Sequence, residues 1–353
     1  MLKLCYNFVM DIDYLLKKTA RTLYLSSKFM PKAISKTFGC AYLICRAADS
    51  IADTDLIDVE KRISLINTYP KLVETKDENL LAELKNSIPK KNNLHENEKL
   101  LLENIDICLQ QFKTLKPLHK QITLKVVNAV CKAMEWDLSY FPDMNSGLIK
   151  ASPNAARTEL YCQHMGGEPG IFWASLLLDG KDNKDFIQDG KRIGMALQIT
   201  NILRDLPQDV KIGRIYLPLT ELTANEIMPQ DLMEKKIYKK LKPVILKWIN
   251  WGTDNIVCAK YFMASIPRRK FFERATVAWP VLWSLDTLKL LASCKNLLDK
   301  TKIQKIPKKT IYLTMLLSPF YCFSNTVFNK LIDKKIKSVK EELKLQNTKK
   351  TVL

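Results

Sequence analysis

Apolar side chains return every three or four residues along this chain, as at Ile63, Ile66 and Leu72 or Leu80, Leu81 and Leu84, while alternating apolar and polar runs are short. That period belongs to the α-helix, and only 10 glycines in 353 residues interrupt it. The chain is therefore expected to be almost entirely helical. At 47% hydrophobic it can bury a large core.

Four polar, breaker-rich stretches punctuate the pattern: residues 86–98, 142–154, 178–185 and the region around GRIYLPLTE at 213–221. Each has the length of a helix connection and is too short for a flexible domain linker. No repeat of fixed period is present. The organisation expected is one all-helical domain over residues 1–330, followed by a basic helical tail over 331–353.

The formal charge of +19 implies anionic company, which nucleic acid, anionic lipid or a phosphorylated small molecule can supply. Much of the excess lies at the end: from Lys295 to Leu353 there are 14 lysines against four acidic residues, a net of +10. No aromatic-basic module accompanies the charge, so nucleic acid is not an expected partner. Nine cysteines without a C-x-x-C pair, and without metal-ligand spacing to His95, His119 and His164, point away from zinc and from a disulfide framework. Reduced thiols fit a cytoplasmic setting. MLKLCYNFVMDIDY does not read as a signal peptide, and the apolar stretch from Ile311 to Phe328 contains Pro319 and Asn325, which suits a packed or interfacial helix better than a span.

Against this background two acidic patterns are out of place. CRAADSIADTD puts Asp49 and Asp53 one turn apart on an apolar helix, with Arg46 just before them. GMALQITNILRDLPQDVKIGRIYLP places Gln198, Asn201, Asp205 and Asp209 at steps of three, four and four, along one line of a helix whose other positions are core-like. Pro207 is expected to kink or end that helix near Leu206, leaving Asp209 just beyond it. A lone D-x-x-x-D is common on solvated helices, but buried carboxylates need a cation. Carboxylate and amide oxygens without Cys or His are hard ligands suited to Mg²⁺, which takes one or two carboxylates plus substrate phosphates. Two such pairs are expected to bracket a diphosphate, with Arg46, Arg204, Lys211 and Arg214 completing its neutralisation.

These residues resemble the squalene and phytoene synthases. Asp49 to Asp53, preceded by Cys45-Arg46, looks like the family's first aspartate-rich motif, and LQITNILRDLPQDVKIGRIYLP resembles the second, including its trailing G-R-x-Y-L-P. MEWDLSY at 134–140 is similar to the M-x-x-D-L-x-x-Y element, ELYCQHMGGEPG to the tyrosine-cysteine segment ending in A-G-x-x-G, and IPRRKFFERATVAWPVLWSLDTLKLL to a later helix of bacterial squalene-synthase-like members. The resemblance spans roughly residues 15 to 330 in family order.

It implies an all-α isoprenoid-synthase fold, a helical barrel around a central hydrophobic pocket, and Mg²⁺-dependent head-to-head condensation of two farnesyl diphosphates through a cyclopropylcarbinyl diphosphate to squalene or a related C30 product. By analogy Asp49, Asp53, Asn201, Asp205 and Asp209 would hold magnesium. Arg21, Arg46, Gln198, Arg204 and Arg214 would contact substrate, and Tyr161 would sit near the reacting carbons. NADPH enters only if the product is squalene. Phytoene synthesis from geranylgeranyl diphosphate is the alternative, and a non-catalytic assembly factor for membrane complexes is a second. A cyclising terpene synthase is disfavoured because Ser50 and Ile51 follow Asp49 where D-D-x-x-D would be expected. Peripheral contact with the inner face of a membrane is the expected home of so greasy a product. Two departures stand out: Ala20-Arg21-Thr22-Leu23 replaces the usual S-x-[ST]-F, and Glu168-Pro169 lies within the A-G-x-x-G segment.

Overall fold

The computed structural model describes residues 11–20, 30–89, 95–144, 146–299 and 304–351. The chain divides into two compact units, Met1–Glu135 and Trp136–Leu353. The helices are α1 (Ile12–Thr19), α2 (Lys32–Asp53), α3 (Val59–Thr75), α4 (Glu78–Ser87), α5 (Glu96–Glu103), α6 (Ile105–Lys113) and α7 (Pro117–Tyr140). Strand β1 (Lys150–Ser152) follows, then α8 (Ala155–Cys162), α9 (Glu168–Leu178) and α10 (Lys184–Asp209). After β2 (Arg214–Pro218) come α11 (Leu219–Ala224), α12 (Tyr238–Ile256), α13 (Ala259–Ser265), α14 (Phe271–Ser293), α15 (Lys308–Leu316), α16 (Ser318–Cys322) and α17 (Asn325–Thr351). Residue 331, the expected start of the tail, lies inside α17.

In the first unit α2 is the central rod, because its small and branched residues, among them Cys40, Leu43, Ile44, Ala47, Ala48 and Ile51, are buried. Several polar groups that enter this core find buried partners. Tyr69 donates to the Ile44 carbonyl at 2.9 Å, and Thr37 Oγ1 lies 2.7 Å from Nδ1 of buried His119. Arg62, only 3% exposed, donates to the Ala52 carbonyl at 3.0 Å, so a buried cation caps the C-terminal end of the helix that carries Asp49 and Asp53.

The second unit is built around α10. Its crossing with the α8–α9 segment is unusually close. A Cβ on Gly166 would fall 2.2 Å from the Gly194 carbonyl oxygen, and one on Gly194 would fall 2.0 Å from that of Gly166. One turn away Gly170 and Gly190 repeat the contact, with a Cβ on Gly170 falling 2.1 Å from the Gly190 oxygen. Backbones meet here, so glycine is required on both sides. Between α8 and α9 the chain makes a π-helical turn, Gln163–Gly167, and Pro169 sits in the first turn of α9, where its missing N–H is not needed.

Two local expectations are corrected. The α10 helix continues through Pro207 to Asp209, so Asp209 occupies its last turn rather than lying beyond it. A proline this near the C-terminus disrupts little ladder beyond its own missing bond, and its ring is buried. The GRIYLPLTE region is not a simple connection. Gly213 turns at φ 81 in the left-handed region, where a Cβ would also strike the Leu148 carbonyl, and the next five residues form a wholly buried strand. That strand pairs in parallel with β1. A short apolar run buried on both faces reads as a strand of this kind.

Candidate functional site

The chain places its chemistry in two groups, one in each unit. In the first, Asp49 and Asp53 occupy the last turns of α2, with Asp49 half-buried and Asp53 exposed. Arg46, one turn earlier, ion-pairs with Asp49 and bonds Glu98 at 2.7 Å. Burial, and then the neighbouring charge of Asp53, pushes the Asp49 carboxyl up to about 6 although Arg46 and its hydrogen bond pull the other way. Both carboxylates stand at the negative end of a helix. A hard divalent cation fits the oxygen donors of this pair. The same negative charge adds to burial in raising the Cys45 thiol to about 12, so that residue is an inert neighbour.

In the second unit α10 carries the other stripe. Ile199, Ile202, Leu203 and Leu206 are buried, whereas Asn201 is exposed and Gln198, Arg204, Asp205 and Asp209 are half-buried. The stripe therefore runs along the less buried side of α10. Arg204 forks onto Asp205 with bonds of 2.8 and 2.5 Å. Among the described residues no three His, Cys, Asp or Glu side chains form a closed cage for a metal. Magnesium does not require one, since it keeps waters and takes substrate phosphates as ligands.

Beside this stripe lies a cluster that the sequence did not announce. Asp137, 7% exposed near the end of α7, accepts hydrogen bonds on one oxygen from Tyr161 at 3.1 Å and Tyr216 at 2.8 Å. The two phenol rings stack at 4.4 Å, and Trp136 and Phe141 flank them. Arg214 is buried 4.0 Å from the same carboxylate oxygen. Burial first, and the Asp137 charge second, hold both phenols well above the ordinary tyrosine range. Asp209 adds to the rise at Tyr216, so its negative charge reaches this cluster. The backbone explains the convergence. The Gly166–Gly194 contact sets α8 against α10, the Gly213 turn aims β2 inward, and Thr158 ties the two together through a 2.7 Å bond to the Tyr216 carbonyl.

Of the residues singled out from sequence, Arg46, Asp49 and Asp53 come together in the first unit. Gln198, Asn201, Arg204, Asp205 and Asp209 share one helix in the second, with Tyr161 and Arg214 meeting at Asp137. Lys211 is exposed after α10, and Arg21 lies outside the described residues. Asp137, Tyr216 and Glu98 went unmarked. The signal for Asp137 was a single carboxylate between Trp136 and Leu138 in the MEWDLSY element, and for Tyr216 the central residue of G-R-x-Y-L-P. Glu98 carried none.

Comparison with known proteins gives the family and the fold. The family described as squalene/phytoene synthase matches residues 16–304. Phytoene synthase 2, chloroplastic, of Oryza sativa subsp. japonica is 30% identical over 130 residues, 36% of this chain and 31% of that protein. Squalene synthase of Yarrowia lipolytica is 23% identical over 205 residues, 56% of this chain and 43% of its own length. The chain thus spans less than half the length of these curated relatives. A solved complex of TcSQS with the ligand E5700 superposes with a TM-score of 0.72 at 14% identity, covering 95% of this chain and 98% of that one, and so has the same helical fold.

Proposed function

The chain belongs to the squalene/phytoene synthase family, and on that premise we propose that it joins two farnesyl diphosphates head to head, in the presence of magnesium, to a cyclopropylcarbinyl diphosphate and then to squalene or a related C30 hydrocarbon. The observation that carries this reading is the buried Tyr161–Asp137–Tyr216 cluster held within reach of Asp209 on the second aspartate stripe. Diphosphate departure and proton removal need an acidic metal-binding stripe and a dry polar group side by side, and this unit supplies both.

Asp49, Asp53, Asn201, Asp205 and Asp209 would hold magnesium, which when bound supplies Lewis acidity to the leaving diphosphate. Arg21, Arg46, Gln198 and Arg204 bind and orient that diphosphate, and Arg214 balances the buried charge of Asp137. After the first diphosphate leaves, the double bond of the second chain attacks the allylic cation. One proton is lost as the cyclopropane closes. Tyr161 stays neutral because of its burial and its anionic neighbour, so it takes part as a phenol that relays a proton and not as a phenolate. Its oxygen accepts the departing proton while its own proton passes to Asp137. The surrounding Trp136, Phe141 and Tyr216 rings exclude water that would trap the cation. Hydride from NADPH is needed only for squalene.

A second reading, phytoene synthesis from geranylgeranyl diphosphate, is favoured by the similarity to the rice protein. The test is incubation of the purified protein with Mg²⁺ and each prenyl diphosphate, with and without NADPH, followed by mass analysis of the products. A C30 product from farnesyl diphosphate supports the first reading, and a C40 product from the longer substrate alone replaces it. Asp205→Asn should abolish turnover with the helical signal intact. No diphosphate release from either substrate would leave the non-catalytic assembly role in its place.

A further inference from the structure

Half of the large apolar side chains that stand exposed among the described residues fall within positions 312–327. Tyr312, Leu316 and Phe320 are 67, 73 and 68% exposed, with Leu313, Leu317 and Phe323 beside them. The α15 helix buries no residue at all. A patch so dense is not ordinary surface.

The segment is nevertheless firmly held. Tyr321, Cys322 and Phe328 are buried, the Tyr321 hydroxyl donates to the Thr314 carbonyl at 2.6 Å, and buried Arg274 bonds Asn325. The Phe323 ring stacks on Phe271 at 5.3 Å. The patch therefore presents its apolar face on a rigid support.

Its charge is one-sided. From 304 to 332 the chain has Lys305, Lys308, Lys309 and Lys330 and no acidic residue. Arg268 and Arg269 stand exposed just before Phe271. No helix among the described residues is long and apolar enough to cross a membrane.

We propose that α15 and α16 form an interfacial anchor that lays Tyr312, Leu316 and Phe320 into the headgroup region of an anionic phospholipid bilayer, with the lysines and arginines at its rim binding the lipid phosphates. Apolar insertion combined with a basic rim is the two-signal pattern of stable peripheral attachment. A second copy of the chain is the poorer occupant, because matching two such patches would bring two cationic rims together. The anchor stands whichever prenyl diphosphate is the substrate, and it places membrane contact ahead of the lysine-rich end of α17.

Co-sedimentation of the full-length protein tests this with vesicles of phosphatidylcholine alone and with phosphatidylglycerol added. The expected result is binding to the anionic vesicles that weakens with salt and falls at least about tenfold in the Leu316→Ser/Phe320→Ser double variant, with melting temperature and mass in solution unchanged. Phe320→Trp supplies a second readout, since its fluorescence should be quenched by brominated lipid. Absence of sedimentation with anionic vesicles, or an unquenched tryptophan, overturns the proposal. So does a wild-type dimer that the double variant dissociates while vesicle binding stays the same, which would assign the patch to a second copy.

Discussion

Tyr161 and Tyr216, 55 positions apart in the chain, hydrogen-bond the same oxygen of Asp137 at 3.1 and 2.8 Å. Both bonds are buried, and the carboxylate that accepts them also has the buried Arg214 guanidinium 4.0 Å away. If the pair were merely structural, the two tyrosines would be equivalent. The proposed reaction makes them unequal, since Tyr161 alone meets the reacting carbons.

Tyr161→Phe and Tyr216→Phe should therefore destabilise the protein to a similar degree, on the order of 1 kcal/mol each, while turnover separates them. Tyr161→Phe is expected to lower kcat roughly a hundredfold or more, and Tyr216→Phe far less. Steady-state kinetics beside thermal melts reads both. Equal losses in kcat would reduce Tyr161 to a packing residue.

Asp137→Asn keeps the shape and removes the charge. It should lower kcat with little change in KM, because Asp137 receives the proton that Tyr161 relays and takes no part in binding diphosphate. The variant should also bring the tyrosine phenols closer to their ordinary range, since their raised values owe much to this carboxylate. Ultraviolet titration would detect the change, and an unaltered titration would mean that burial alone sets it.

Asp49 makes a prediction of opposite sign. Its carboxyl sits at about 6 in the folded protein, above the unfolded value of about 3.9. The folded state therefore binds the extra proton between these two values, and the contribution of Asp49 to stability falls as pH rises through that window. In metal-free protein at pH 7.5 Asp49→Asn should stabilise the fold by roughly 1 kcal/mol after discounting for partial exposure and the lost Arg46 contact, read as a slightly higher melting temperature. The same change should abolish turnover. The magnesium concentration for half-maximal rate in the parent protein should climb as pH drops below about 6, because proton and metal compete for Asp49. A half-maximal concentration that stays flat from pH 5 to 8 would exclude Asp49 as a ligand.

Gly166→Ala should cost about 2 to 4 kcal/mol, because its methyl would lie 2.2 Å from a backbone oxygen that cannot swing aside. Gly167→Ala, whose methyl would meet the Met195 side chain at 3.1 Å, should cost less than about 1 kcal/mol. Urea denaturation of the two variants compares them directly. Similar midpoints would mean that α8–α9 and α10 do not cross as closely as described.

Much of the candidate site was legible along the chain. Asp49 with Asp53, and Gln198 through Asp209, are local patterns, and a helix converts local spacing into one face without help from the rest of the fold. Where local rules compete, reading the chain alone misjudged the outcome. The spacing rules expect Pro207 to kink or end α10 near Leu206, but its position near the helix end and its buried ring let the helix run on to Asp209. The run RIYLP reads from sequence as part of a connection because its strand character depends on pairing with β1.

By itself the sequence determined the helical class, the two carboxylate stripes and the family, all of which rest on spacing or motif within short windows. Only the tertiary structure decided that Asp137 joins Tyr161 to Tyr216, that Glu98 completes the Arg46–Asp49 ion pair, and that α15 stands bare toward solvent. Those facts depend on which surfaces meet after long loops have closed. Side-chain periodicity records whether a residue prefers burial, but not which distant partner will bury it.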